Sequence, residues 1–192
     1  MSRLGREDAY FMAQEAEQRA KLRAELEAKA ALAAEHHAIA EQVGVTDRQL
    51  AERVRALGFD GETARVLYLM PLIAVAWADG SLSDKERDAI LRVAGTHGIE
   101  PHTPAGIMLA TLLEERSSGI VLDQILDVLK AVLHAKGMHP HSMLEACVEV
   151  AEASGGFLGF GNKVSPEEQA LIEQIAGTFG PEDVDRITER LD

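Results

Sequence analysis

A chain of 192 residues that is 46% apolar but only 4% aromatic can fill one ordinary core, and must do so with Leu, Ile, Val, Ala and Met. Its net charge of −13 opposes phosphate-backbone and anionic-membrane binding, and leaves cations, basic partners or plain solubility as its meaning. The single Cys147 excludes an intrachain disulfide and fits a reducing compartment. No apolar run follows Met1 to Arg6, so no secretory leader is visible and a cytoplasmic location is expected.

From Arg6 to Val43 nothing breaks a helix, and eleven of the twenty-eight residues from Ala13 to Ala40 are Ala. Charges of both signs are interspersed along it. Leu22, Leu26, Ala33 and Ala40 make one thin apolar stripe, and Leu32, Ile39 and Val43 a second. This predicts a long, mostly exposed helix whose C-terminal half docks while its N-terminal half projects or finds a partner. Thr46 with Gln49 reads as a capping box opening a short helix to Leu57. Residues 1–57 are therefore expected to form an appendage, and residues 58–192 a helical domain.

Asp60 is placed to cap an uncharged stretch, Val66 to Ala78, with a kink expected at Pro71. As a helix that stretch spans only about 20 Å, too short for a bilayer. It ends in Ala78-Asp79-Gly80, and Ser83 with Glu86 then reads as a second capping box, making a helix–turn–helix joint with Asp79, Asp84 and Glu86 near one another. Helices are expected from about Pro104, over 120–136 and over 143–153. A second joint follows, from Ser154-Gly155-Gly156 to Ser165-Pro166-Glu167-Glu168. There Ser165 pairs with Glu168 as Ser83 does with Glu86, and Pro166 takes the first helical position. Ser154 stands where Asp79 stands in the first joint, and the second carries an insertion around Phe157-Leu158-Gly159-Phe160. Helices over 165–178 and 181–191 close the chain. The prediction is all-α, about nine helices, with two matching helix–loop–helix units about eighty residues apart.

Ala78-Asp79-Gly80 after an apolar helix, a polar turn, and Glu86 on the next helix resemble the TerB-like family, the tellurite-resistance TerB domains. The second joint looks like a degenerate second copy. The resemblance covers roughly Gly61 to Leu191. It implies two pseudo-symmetric halves, a stress-response or tellurite-resistance role, and acidic residues that bind a divalent metal. Asp79 and Glu86 match the acidic positions of the first copy, and Glu168 that of the second.

Read from the residues alone, Asp79, Asp84 and Glu86 are candidate oxygen ligands for Ca²⁺ or another divalent cation, and the resemblance implies Glu168 as a further one. The competing reading makes them turn and cap chemistry in a helical protein-interaction scaffold. The first loop is no EF-hand, since Asp84 and Ile90 stand where that loop needs Gly and Glu. His134, His139 and His141 have no accompanying Cys, and Cys147 lies on an apolar helical face. No nucleophile constellation or phosphate cradle is readable, so an enzyme is not expected. Protein partners are expected through the N-terminal helix or the Phe157–Phe160 loop, with no nucleic acid and no membrane insertion.

Overall fold

A computed structural model describes residues 3–116, 122–154 and 164–191, with side chains from Tyr10 onward. The chain is 79% helical and has no strand among the described residues. Among the described residues nine α-helices follow in order: α1 Arg3–Val43, α2 Arg48–Ala56, α3 Met70–Ala76, α4 Asp84–Thr96, α5 Pro104–Glu114, α6 Leu122–Ala135, α7 His141–Ser154, α8 Pro166–Phe179 and α9 Pro181–Leu191. None of the described helices is long and apolar enough to cross a membrane.

The element boundaries follow local chemistry. Asp47, not Thr46, caps α2, accepting from the Gln49 N–H at 2.8 Å; the helix starts at Arg48, which leaves Asp47 in extended backbone at the cap position. The uncharged stretch is not one kinked helix. Residues 64–69 form a 3-10 helix, and α3 begins at Met70 with Pro71 in its first turn. Proline has no N–H to give to the preceding turn, so the α-helical ladder can start there but cannot run through it. Asp60 does not cap the 3-10 helix, whose cap position is Thr63 with no side-chain cap; it holds the turn before it, accepting from the backbone N–H of Glu62 and Thr63, each at 2.9 Å, and from the Thr63 hydroxyl at 2.7 Å. The Thr63 hydrogen bond, together with the two backbone N–H groups, holds the Asp60 carboxyl below its ordinary range against the opposing cost of burial.

α1 is about 60 Å long at 1.5 Å per residue. From Tyr10 to Ala34 its side chains stand in solvent: Tyr10, Phe11 and Met12 are 65%, 61% and 73% exposed, and Leu22 and Leu26 are 58%. From His36 onward it docks, with Ile39 and Val43 fully buried. The crossing is close at Gly61, where a side chain would strike Ala38, and the Gly61 N–H donates to Glu35 at 2.8 Å. Tyr68 fastens the end of α1. Its hydroxyl donates to the Val43 carbonyl at 2.6 Å, its ring stacks on His97, and Lys136 Nζ lies 5.1 Å above the ring.

The core is aliphatic and continuous from Ile39 to Ile187, so α1 beyond His36 and all of α2 share it with the rest of the chain. At its centre α7 packs against α3 and α4, and α8 against α3, α6 and α9. Cys147 is buried there, and burial pushes its thiol well above the usual range.

Candidate functional site

The two joints share one local design. Trp77 ends α3, and Gly80 turns the chain at φ 94°, a conformation that favours residues without a Cβ. Ser83 then caps α4. Its hydroxyl accepts from the Glu86 N–H at 3.3 Å, and Glu86 Oε2 accepts from the Ser83 N–H at 2.7 Å. At the start of α8, Ser165 and Glu168 repeat the arrangement at 3.2 and 2.7 Å. Each box satisfies two of the N–H groups that a helix start leaves without an intrahelical partner.

The fold brings the two boxes together. Glu86 is 3% exposed and Glu168 1%, and they face each other where α4 and α8 begin. Each Oε2 is held by its own cap. Glu168 Oε1 is closed off from solvent and meets no donor. What it meets is another carboxyl. Burial first, and then the hydrogen bond and the charge of Glu86, push the Glu168 carboxyl up to about 7, against the opposing pull of the Ser165 cap. With a proton on it, Oε1 becomes the donor that the geometry lacks, and the buried oxygen is satisfied.

The other two acidic candidates lie elsewhere in the joint. Asp79 is exposed, and its Oδ1 accepts from the Ser81 N–H at 2.8 Å and the Ser81 hydroxyl at 3.1 Å, which stabilises the turn. Asp84 is exposed in the first turn of α4, a place that favours a negative charge. Of the four residues, only Glu86 and Glu168 are brought together as a buried pair. Among the described residues, no three Asp, Glu, His or Cys side chains group as metal ligands. His134, His139 and His141 are all exposed. Ser154's side chain and the whole Phe157–Phe160 loop lie outside the described residues.

Next to the joints is a feature that the sequence reading missed. A groove of about 770 Å³ runs between α3, α5, α6 and α8, with the end of α2 at one side. Residues 70, 73, 74 and 77 of α3 line it, and so do residues 167, 170, 171 and 174 of α8. Each set is spaced i, i+3, i+4, i+7, one full helical face. The joints frame it directly, because Ala78 precedes Asp79 and Glu167 precedes Glu168. Trp77 Nε1 donates to the Leu112 carbonyl at 3.2 Å and Arg87 to the Leu113 carbonyl at 2.8 Å, which fixes the end of α5 to the first joint. The signal for the groove was present but ambiguous, since an uncharged helix facing a groove reads in sequence like one facing a core.

No family model, curated protein or solved structure matches this chain.

Proposed function

We propose that this is a non-catalytic helical interaction module of TerB-like design, whose capping-box glutamates are structural and whose working surface is the groove beside them. One observation carries the reading: both buried glutamates are already committed to their own helix starts, while the adjacent groove leaves an open surface of apolar helix faces. A carboxyl that is closed to solvent and holds its own cap is poorly placed to receive a hydrated ion or a substrate. The matching joints, with their carboxyls face to face, support the TerB-like reading, and with it a stress-response or tellurite-resistance setting.

The test is a photo-crosslinking amino acid at Leu112 in the groove, with exposed Leu91 on α4 as the control, carried in the full chain in its host cell. The expected result is a discrete protein attached from position 112 and not from 91, with the complex re-forming from purified components. If position 112 captures nothing that re-forms, the reading fails.

A second reading, favoured by the orphaned Glu168 Oε1, places a divalent cation between Glu86 and Glu168. A rise in Tm at about 10 mM Ca²⁺ or Mg²⁺, beyond that of matched ionic strength and lost in Glu168→Gln, would move the conclusion there.

A further inference from the structure

We propose that the groove is the seat of a basic amphipathic helix from a partner protein; this rests on the interaction-module reading and specifies its partner. The first argument is shape. α3 lines the groove with the buried Met70 and Ile73 and the half-buried Ala74 and Trp77, and α8 with exposed Ala170 and half-buried Leu171 on a face of the same period. Helix ridges of this period are what another helix packs against, at an interaxial distance of about 8–10 Å when small residues allow approach. Ala74 and Ala170 supply the small positions. Among the described residues nothing occupies the position beside these two helices, and each wall runs from i to i+7, the span over which an incoming helix sets anchors at i, i+3, i+4 and i+7. Met70 and Met108 add adaptable surface of the kind that accommodates varied apolar anchors.

The second argument is charge. Residues 3–29 of the α1 arm carry six basic and six acidic side chains, so the net charge of −13 belongs to the remainder of the chain. At the mouth of the groove, exposed Asp123 and Glu167 outnumber Arg116, the one cation among the described lining residues. A basic face on the incoming helix meets this rim, and the whole body attracts it from a distance. The protein's own arm is neutral, so as an occupant taken from a second copy it lacks that complementarity.

Trp77 is the only tryptophan in the chain and stands in the groove wall, so it reports occupancy directly. The full-length protein is titrated with a synthetic helix of about five turns, with leucines at i, i+3, i+4 and i+7 and lysines elsewhere. A second peptide has the same pattern with glutamate in place of lysine. The expected result is a saturable one-to-one shift of Trp77 emission with the lysine peptide, about tenfold or more tighter than with the glutamate peptide and weakened by salt. The double substitution Asp123→Asn and Glu167→Gln, at exposed positions, should lower the lysine-peptide affinity about three- to tenfold and flatten its salt dependence while leaving the circular dichroism unchanged. Equal affinity for both peptides, or lysine-peptide binding that ignores the double substitution, overturns the proposal. So does a one-to-one apolar dye that the lysine peptide fails to displace, which makes the groove a small-molecule site. A concentration-dependent dimer that shields Trp77 in sedimentation and quenching assigns the groove to a second copy instead. A crosslinked partner that lacks a basic helix leaves the interaction module standing and sinks this inference alone.

Discussion

Glu168→Gln isolates the proton that the joint requires. Glutamine keeps an oxygen for the Ser165 N–H, so the capping box survives, and its NH₂ supplies a permanent donor towards Glu86. In the parent that donor exists only while Glu168 is protonated. Its carboxyl is raised in the folded state, from an ordinary 4.5 to about 7, mainly by burial and then by Glu86. The folded state therefore binds the proton more tightly than the unfolded one. The stability this gives is complete below about pH 4.5 and is lost as pH rises through about 7. At 1.36 kcal/mol per unit the whole shift would be about 3 kcal/mol. The Ser165 cap opposes the rise and the shift is shared with Glu86, so about 1–3 kcal/mol is the working range. For a chain of this size that corresponds to about 3–10 °C in Tm. The assay is thermal unfolding of parent and variant in matched buffers from pH 4.5 to 9. The readout is the difference between them, which cancels the shared groups that do not touch position 168. The gap should be near zero at the acid end, open in favour of Glu168→Gln between pH 4.5 and 7, and hold constant above. A gap that is flat across the range, or that favours the parent at high pH, refutes the shared-proton account.

Removing residues 1–26 should leave a cooperative melt and a Tm within about 2 °C of the parent, because residues 10–26 are all exposed; a lost transition in differential scanning calorimetry would place the arm in the core. His36→Leu should stabilise the protein by about 1 kcal/mol in urea unfolding at neutral pH. His36 is 4% exposed and neither ring nitrogen has a partner, so the substitution removes two unsatisfied polar atoms from an apolar site. A loss of stability in that variant would mean that the imidazole finds a partner in solution.

Much of the fold was legible because its punctuation is local. Both capping boxes, Gly80 at positive φ, and Pro166 at the start of α8 are decided within four residues, and the all-helical class follows from period and breakers. Pro71 was misread as a kink because the consequence of its missing N–H depends on whether the preceding residues can form an α-helical turn at all. Thr46 and Asp47 are neighbours with equal claims to a cap, and only the backbone path chose between them. The site was half legible. Equivalence of Glu86 and Glu168 could be read from spacing, but their meeting depends on how α4 and α8 start against one another, which no local pattern contains. The groove was not legible, since periodicity reports that a face is apolar and not what covers it.

The carboxyls and the groove assign opposite roles to the residues that composition would have chosen. The acidic side chains of the joints look like ligands in sequence, yet Glu86 and Glu168 are occupied by their own helix starts, and Asp79 by its own turn. The uncharged run from Val66 to Ala78 looks like interior and most of it is, yet five of its positions also line a groove, the buried Met70 and Ile73 among them. The two facts share a cause. A capping box draws its N3 glutamate back over the helix start, and in both joints this carries the carboxyl inward, against the other. Bringing α4 and α8 together at that point closes the fold at the pair. Just beyond it, Ala78 and Glu167 stand at the edge of the groove that the faces of α3 and α8 line. On this account the groove is a consequence of how the joints meet. A substitution that relieves the carboxyl pair without disturbing either cap, such as Glu168→Gln, should therefore leave the Trp77 emission maximum in place.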